Sequence, residues 1–372
     1  MMDLKHKLKH TSLQLQNLSQ RIFNTSSLVI SEQMNYESIF KFGPSQIRYY
    51  AAVEKKYQEP LVFVAPLAID MSIYDLYPYR SLIGYFVNQG FDVYLIDWGK
   101  LHFQHRHLNF IDFTHRFIPN CIAQIQQHAQ CKQISLHGWS MAGLFVALYT
   151  ASQQPNAVKN LIVLGSPIDS YASGAIGQLY KKINQLVQRS DRIEQLLYQA
   201  KLPKSLIHSP GILNSLGFKI LDPKGWYEGH KQLLLNLHNQ QALQEHATLG
   251  RFLNNMIDYP GGINQDMLFH IWLRNPLALG EITLHQQHIE LKNIDCSLLV
   301  GAGERDQIVT ENAIKPLTKL TSSQDVSFQM IPGGHLGLMS SQKSAEIFWP
   351  KLYIWLSQRS TRLEPVQDQA QL

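Results

Sequence analysis

Cysteine and charge are both scarce in this chain, and each shortage excludes a class of protein. The three cysteines in 372 residues, Cys121, Cys131 and Cys296, are odd in number and have no short pairing interval. That excludes a disulfide framework and a cysteine-rich zinc site, and the three are read as buried free thiols. Only 16% of residues are charged, with a formal net charge of +5. No long basic run, zinc-finger spacing or RNA-binding aromatic motif accompanies that charge, so a nucleic-acid partner is excluded. No window approaches the roughly 18 consecutive apolar residues of a membrane span. Residues 1–10 carry lysines, but no apolar signal core follows them. The expectation is a cytoplasmic protein that touches an apolar surface at most. What is abundant is apolar side chain, 45% of the sequence, enough for a large core in one α/β domain with an insertion, or in two domains.

Residues 1–45 stand apart from the rest. Leu4, Leu8, Leu15, Leu18 and Ile22 recur at helical spacing beside Lys5, Lys7 and Lys9. The pattern predicts an amphipathic helical extension, either folded onto its own domain or docking on a partner subunit or an apolar particle. From Ile47 the period becomes that of strands. Leu61-Val62-Phe63-Val64-Ala65 is the short apolar run of a strand buried on both faces of a parallel sheet. A helix over 81–89 stops at Gly90, a strand over 91–96 follows, and a helix over 110–130, kinked at Pro119, leads to the apolar run 134–139. This alternation predicts a doubly wound, mostly parallel sheet built from 46–167 and 294–358, with a polar tail at 359–372. Between the two halves, 168–293 reads as a large helical insertion broken by prolines. An insertion there is read as a cap over a site; a separately folded domain is the plainer alternative.

The organising stretch is His137-Gly138-Trp139-Ser140-Met141-Ala142-Gly143, an apolar strand running into a serine between small residues. It has the form of a strand-turn-helix nucleophile elbow, with G-x-S-x-A-G in place of G-x-S-x-G. A serine hydroxyl needs a base within hydrogen-bond reach, and that base needs a carboxylate to hold its tautomer. In α/β-hydrolases these partners follow in the order serine, acid, histidine, each on a loop at a strand's C-terminal end. Asp306 and His335 occupy two such loops, so Ser140, Asp306 and His335 are the candidate triad, with Asp97 and Asp169 as rivals for the acid. His137 is expected to be structural. The oxyanion donors are expected to be the backbone N–H of Met141 and one from the loop after the Leu61 strand, Ile69 or Ala68. No metal or redox cofactor is called for.

Several stretches together resemble poly(3-hydroxyalkanoate) synthases, in particular the short catalytic subunits that work with a second subunit. They are Pro66-Leu67 through Tyr74-Asp75-Leu76, Gly90 to Trp98-Gly99, the elbow, Leu291-Lys292-Asn293-Ile294-Asp295, Gly303-Glu304-Arg305-Asp306-Gln307-Ile308-Val309 and Pro332-Gly333-Gly334-His335-Leu336-Gly337. The resemblance implies an α/β-hydrolase fold with a helical cap, and places Ser140, Asp306 and His335 where that family has nucleophile, acid and base. It implies 3-hydroxyacyl thioesters of coenzyme A, or the polyester itself, as substrate, and admits a second subunit or homo-oligomer and a polyester granule surface as partners. The chain departs from the family in having serine where those synthases have cysteine, Ala142 for glycine and Gln307 where histidine is common. A serine acyl-enzyme is an oxygen ester, nearly level with the polymer's own bonds, whereas a thioester lies above them. Depolymerase, esterase or thioesterase activity therefore stands beside polymerisation, and a non-catalytic protein that binds granules or a partner is the alternative from another class.

Overall fold

The computed structural model describes residues 2–31, 33–152, 155–199, 202–221 and 223–364. The tail expected at 359–372 is described as far as residue 364, and the rest of it lies outside these residues. The main sheet has eight strands: β1 (Glu37–Phe42), β2 (Ser45–Tyr50), β3 (Leu61–Val64), β4 (Val93–Asp97), β5 (Ile134–Trp139), β6 (Val158–Leu164), β9 (Ser297–Gly303) and β10 (Val326–Ile331). Their order is β1-β2-β4-β3-β5-β6-β9-β10, while β7 (Glu281–Leu284) and β8 (Gln287–Glu290) pair only with each other. From β4 to β10 all neighbours are parallel, and β1 and β2 form an antiparallel edge. Every residue of β3, β4 and β5 is buried, because helices cover both faces of a parallel sheet.

The helices begin and end where local chemistry dictates. Helix α1 runs Met2–Phe23. Helix α2 (Leu82–Gln89) starts at Ser81, whose hydroxyl accepts from Gly84 N–H, and stops at Gly90 in the left-handed region at φ 98°. The expected kink at Pro119 is a change of helix type. A π-helical segment, Asp112–Phe117, gives way to α3 (Ile118–Ala129), with the proline in its first turn, where no N–H is required. Helix α4 (Met141–Ser152) follows β5 and is almost wholly buried.

Between β6 and β9 lie α5 (Gly174–Val187), α6 (Asp191–Gln199), α7 (Gly211–Leu221), α8 (Pro223–Leu235) and α9 (Gln240–Asn254). These helices fall within the stretch 168–293. The β7–β8 hairpin inside it is an addition, closed by His285 and Gln286, both at positive φ, as a two-residue turn of the mirror type requires. A second addition is β1, which lies within the stretch read as a helical extension. The sheet thus begins at Glu37, and a boundary at residue 45 would cut the β1–β2 hairpin.

Helix α1 rests on α9 and the turn before it through polar groups. Asn17 Nδ2 donates to Leu237 O in that turn at 2.6 Å, and Arg21 Nη2 meets His246 Nδ1 of α9 at 3.2 Å. Leu15 and Ile22, part of the predicted apolar stripe, are exposed; the side chains of Leu4 and Leu8 lie outside the described residues. Helix α9 is in turn clamped to the sheet domain. Arg80 donates to Glu245 Oε2 at 2.6 Å and to Ser340 O at 2.9 Å, while Tyr79 OH donates to Glu245 Oε1 at 2.8 Å.

Candidate active site

At the C-terminal end of β5 the chain reverses into α4 with Ser140 at φ 58°. A non-glycine residue in that region is strained, and such strain collects at functional turns. Gly138 makes the reversal possible: a Cβ there would lie 2.4 Å from Ala142 O and 2.6 Å from Val146 Cγ2. Ala142 is fully buried, its methyl accommodated. The turn is tied to β6, because Ser140 N–H donates to Leu164 O at 2.8 Å and Ser166 Oγ donates to Ser140 O at 2.7 Å. Gly138→Ala is expected to destabilise the protein by about 3 kcal/mol through overpacking, read as a lower urea midpoint, because the clash falls partly on backbone that cannot rotate away.

The three residues expected from the sequence converge. His335 Nε2 lies 2.8 Å from Ser140 Oγ, and Nδ1 lies 2.7 Å from Asp306 Oδ2. An ionised carboxylate only accepts, so Nδ1 carries the proton, which leaves Nε2 as the acceptor for the serine hydroxyl. The other Asp306 oxygen, Oδ1, accepts the N–H groups of Ile308 and Val309, each at 2.9 Å. Asp306 and His335 are both buried, whereas Ser140 is part-exposed. Gly165 beside them sits at φ 53°, a backbone conformation that strains any side chain, and a Cβ there would press on Leu338 Cδ1 at 3.0 Å. The two rival acids are engaged elsewhere. Asp97 holds Arg48 at 2.6 Å, and Asp169 accepts from Tyr171 N–H and Asn275 Nδ2.

Met141 is the first residue of α4, where a helix has no intrahelical acceptor for its N–H. The loop after β3 turns at Ala68, φ 69°, and Ala68 O accepts from Ile257 N–H at 2.9 Å. Ala68 and Ile69 are both buried.

Three contacts had no signal strong enough to be read from the sequence. Phe218 of α7 packs its ring 6.4 Å from that of His335. Tyr259 OH donates to Met141 Sδ at 2.9 Å. Ser166 braces the elbow, as described. Of these only Ser166 was accessible in principle, since Gly165-Ser166-Pro167 marks a strand end; Phe218 and Tyr259 depend on how the inserted helices lie.

His137 is fully buried, its ring 4.6 Å from that of Phe63, and neither ring nitrogen has a hydrogen-bond partner. Burial pushes its pKa down to about 3 from an ordinary 6.5. An unfolded chain therefore takes up this proton as pH falls below 6.5 while the folded one does not. The stability associated with neutral His137 is complete above that pH and is lost toward pH 3. Its share of the loss by pH 5 is about 2 kcal/mol. His137→Leu is expected to flatten the dependence, seen as a smaller fall in Tm between pH 7 and pH 5 than in the parent protein.

Among the described residues one group of potential metal donors converges, Glu281, His288 and Glu290 on the β7–β8 hairpin. Lys292 already pairs with Glu290 at 2.7 Å. No described helix is long and apolar enough to cross a membrane.

Comparison with known proteins agrees with this architecture. The family profile described as alpha/beta hydrolase fold matches residues 72–342. The chain is 27% identical over 344 residues to the poly(3-hydroxyalkanoate) polymerase subunit PhaC of Haloferax mediterranei, covering 92% of this chain and 67% of that one. It is 25% identical to the subunit of the same name from Haloarcula marismortui, over 84% of this chain and 64% of the relative. For that of Synechocystis the identity is 26%, over 84% and 81%. The chain thus spans about two thirds of the length of the Haloferax and Haloarcula relatives. Among solved structures, a soluble variant of monoglyceride lipase from Saccharomyces cerevisiae superposes with TM-score 0.56 at 14% identity, over 88% of this chain and 96% of the lipase. The monoacylglycerol lipase of Paleococcus ferrophilus gives 0.51 at 16%, over 88% and 100%. A strained serine at the end of a parallel strand, a profile match over most of the chain and these neighbours lead to one conclusion: the chain is an enzyme that belongs to the alpha/beta hydrolase fold family, similar in sequence to poly(3-hydroxyalkanoate) polymerase subunits.

Proposed function

We propose that the protein catalyses acyl transfer or hydrolysis on 3-hydroxyacyl esters or thioesters, with Ser140 as nucleophile, His335 as base and Asp306 as its orienting acid. The observation that carries this reading is the unbroken line of short contacts from Asp306 through His335 to Ser140 Oγ. In the first half-reaction Oγ bonds to the acyl carbon as its proton passes to Nε2. The tetrahedral oxyanion is held by Met141 N–H and a second N–H from Ile69 or Ala68. It collapses by breaking the bond to the coenzyme A sulfur or the alcohol oxygen, and that leaving group takes the proton from Nε2. An oxygen ester on Ser140 remains. In the second half-reaction water, or the 3-hydroxyl of another acyl unit, attacks this ester by the same proton path and frees Oγ.

The substrate class comes from the similarity to the polymerase subunits, as does the proposal of a second subunit and of association with polyester granules. The inserted helices 168–293 are proposed as a cap, since the ring of Phe218 on α7 lies 6.4 Å from that of the base. Coenzyme A enters as part of the substrate, and the steps use no resident cofactor.

A hydrolytic reading is favoured by the nucleophile itself. A serine ester lies close in energy to the polymer's oxygen esters, so with a thioester donor the downhill drop falls in forming the acyl-enzyme, transfer from Ser140 to a polymer hydroxyl is nearly level, and the acyl group passes to water wherever water enters. Supplying 3-hydroxybutyryl-coenzyme A to the purified protein tests both readings. Release of coenzyme A thiol that disappears in Ser140→Ala is expected; polymer among the products identifies a synthase, and free acid alone identifies a hydrolase. If the folded protein releases no thiol and reacts with no ester or fluorophosphonate, the catalytic proposal is wrong and a binding role replaces it.

A further inference from the structure

Helix α7 is amphipathic with its faces reversed. At 100° per residue, Ile212, Leu213, Leu216 and Ile220 fall within an arc of about 100°, and this arc points outward: Ile212 is 79% exposed, Leu216 54% and Ile220 66%. The inward arc carries Gly211, Asn214, Ser215 and Phe218. A Cβ at Gly211 would lie 1.9 Å from Met256 O, Asn214 Nδ2 donates to Ile257 O at 2.8 Å, and Ser215 is buried. The helix is thus seated by small and polar residues, and its apolar arc is left to something outside the chain.

Three observations say what covers it. Residues 174–235 contain nine lysines and arginines against four acidic residues, so this one stretch carries a net +5, equal to the formal charge of the whole chain. Two copies pressed together through these helices would set like charge against like, whereas an anionic surface is complementary. The outward arc of α7 carries no charge of its own, and Lys219 Nζ at its margin is drawn aside to Asn254 Oδ1 at 2.9 Å. Trp226 and Tyr227, exposed at the start of α8, are the side chains that settle at the head-group level of a lipid interface. We propose that α7 and the start of α8 dock on an anionic lipid surface, the α7 arc entering the acyl boundary and the lysines and arginines of these helices meeting head groups. The helix that would lie in the interface is the one whose Phe218 packs beside His335, so docking brings the lipid surface next to the site.

Co-sedimentation of the full chain with vesicles tests this, using phosphatidylcholine alone and a mixture of phosphatidylcholine with phosphatidylglycerol. Binding to the mixed vesicles is expected, at least tenfold weaker on phosphatidylcholine and weakened by added salt. The same binding is expected of Ser140→Ala protein, so the result does not depend on the chemistry proposed above. The triple variant Ile212→Ser, Leu216→Ser, Ile220→Ser should bind at least tenfold less with an unchanged melting curve. Should it fail to fold, Lys219→Glu at the margin of the α7 arc with Lys231→Glu, exposed on α8, should weaken binding to the anionic vesicles. Absence of vesicle binding, binding that survives these changes, or a parent dimer that the triple variant turns to monomer would each overturn the proposal, the last by showing that a second copy covers the arc.

Discussion

Ser140→Ala is expected to remove labelling by a fluorophosphonate entirely, and to lower turnover of any ester or thioester the protein accepts by about 10^4-fold or more. The size of the effect follows from the single bond-forming atom. Oγ lies 2.8 Å from the only ring nitrogen of His335 free to accept its proton, and no other hydroxyl is placed by the turn at φ 58°. Alanine keeps the Cβ and hence the turn, so folding should be unchanged; the backbone ties to Leu164 and Ser166 do not use the hydroxyl. His335→Ala should lose nearly as much, and the double variant little more than either alone, since the two act as one unit. Labelling that persists in Ser140→Ala would place the nucleophile elsewhere.

What could be read in advance divides along a physical line. Ser140 and Asp306 could be proposed because each follows a buried strand, and such strands announce themselves as apolar runs, whereas His335 follows the half-exposed edge strand β10 and was picked out by the glycines of Pro332-Gly333-Gly334 before it. The elbow was legible because its tight reversal demands small residues at fixed positions. Placement of the inserted helices was not, because periodicity reports that a helix has an apolar side and not which side the protein keeps. Helix α7 keeps the wrong one by that rule, and α1 meets α9 and the turn before it through Arg21 and Asn17 while Leu15 and Ile22 face out. The β7–β8 hairpin shows a third limit. Glu281-Ile282-Thr283-Leu284 alternates as a strand should, but His285-Gln286 carries none of the glycine or asparagine by which such a turn is usually recognised. Strand β1 is a half-exposed edge of aromatic and charged residues, with too little continuous apolar character to stand out from the segment before it.

Asp306→Asn tests the other end of the proton path, and its expected effect comes from geometry more than from lost charge. Oδ1 of Asp306 is fixed by two N–H donors, from Ile308 and Val309. An asparagine must therefore turn its carbonyl oxygen toward them and its NH2 toward His335 Nδ1. An NH2 only donates, so Nδ1 must become the acceptor and the ring proton moves to Nε2, pointing at Ser140 Oγ. The base is then blocked by its own proton. A fall of about 10^4-fold in kcat is expected, with fluorophosphonate labelling slowed in the same proportion. The side chain is buried and its shape is preserved, so Tm should move little compared with the loss in rate. In the proton NMR spectrum the downfield Nδ1–H resonance expected of the parent protein should vanish. If the rate falls by less than tenfold, Asp306 does not hold the tautomer. Asp97 and Asp169 could not take its place, being committed to Arg48 and to Asn275, and the imidazole would have to work as a dyad with Ser140 alone.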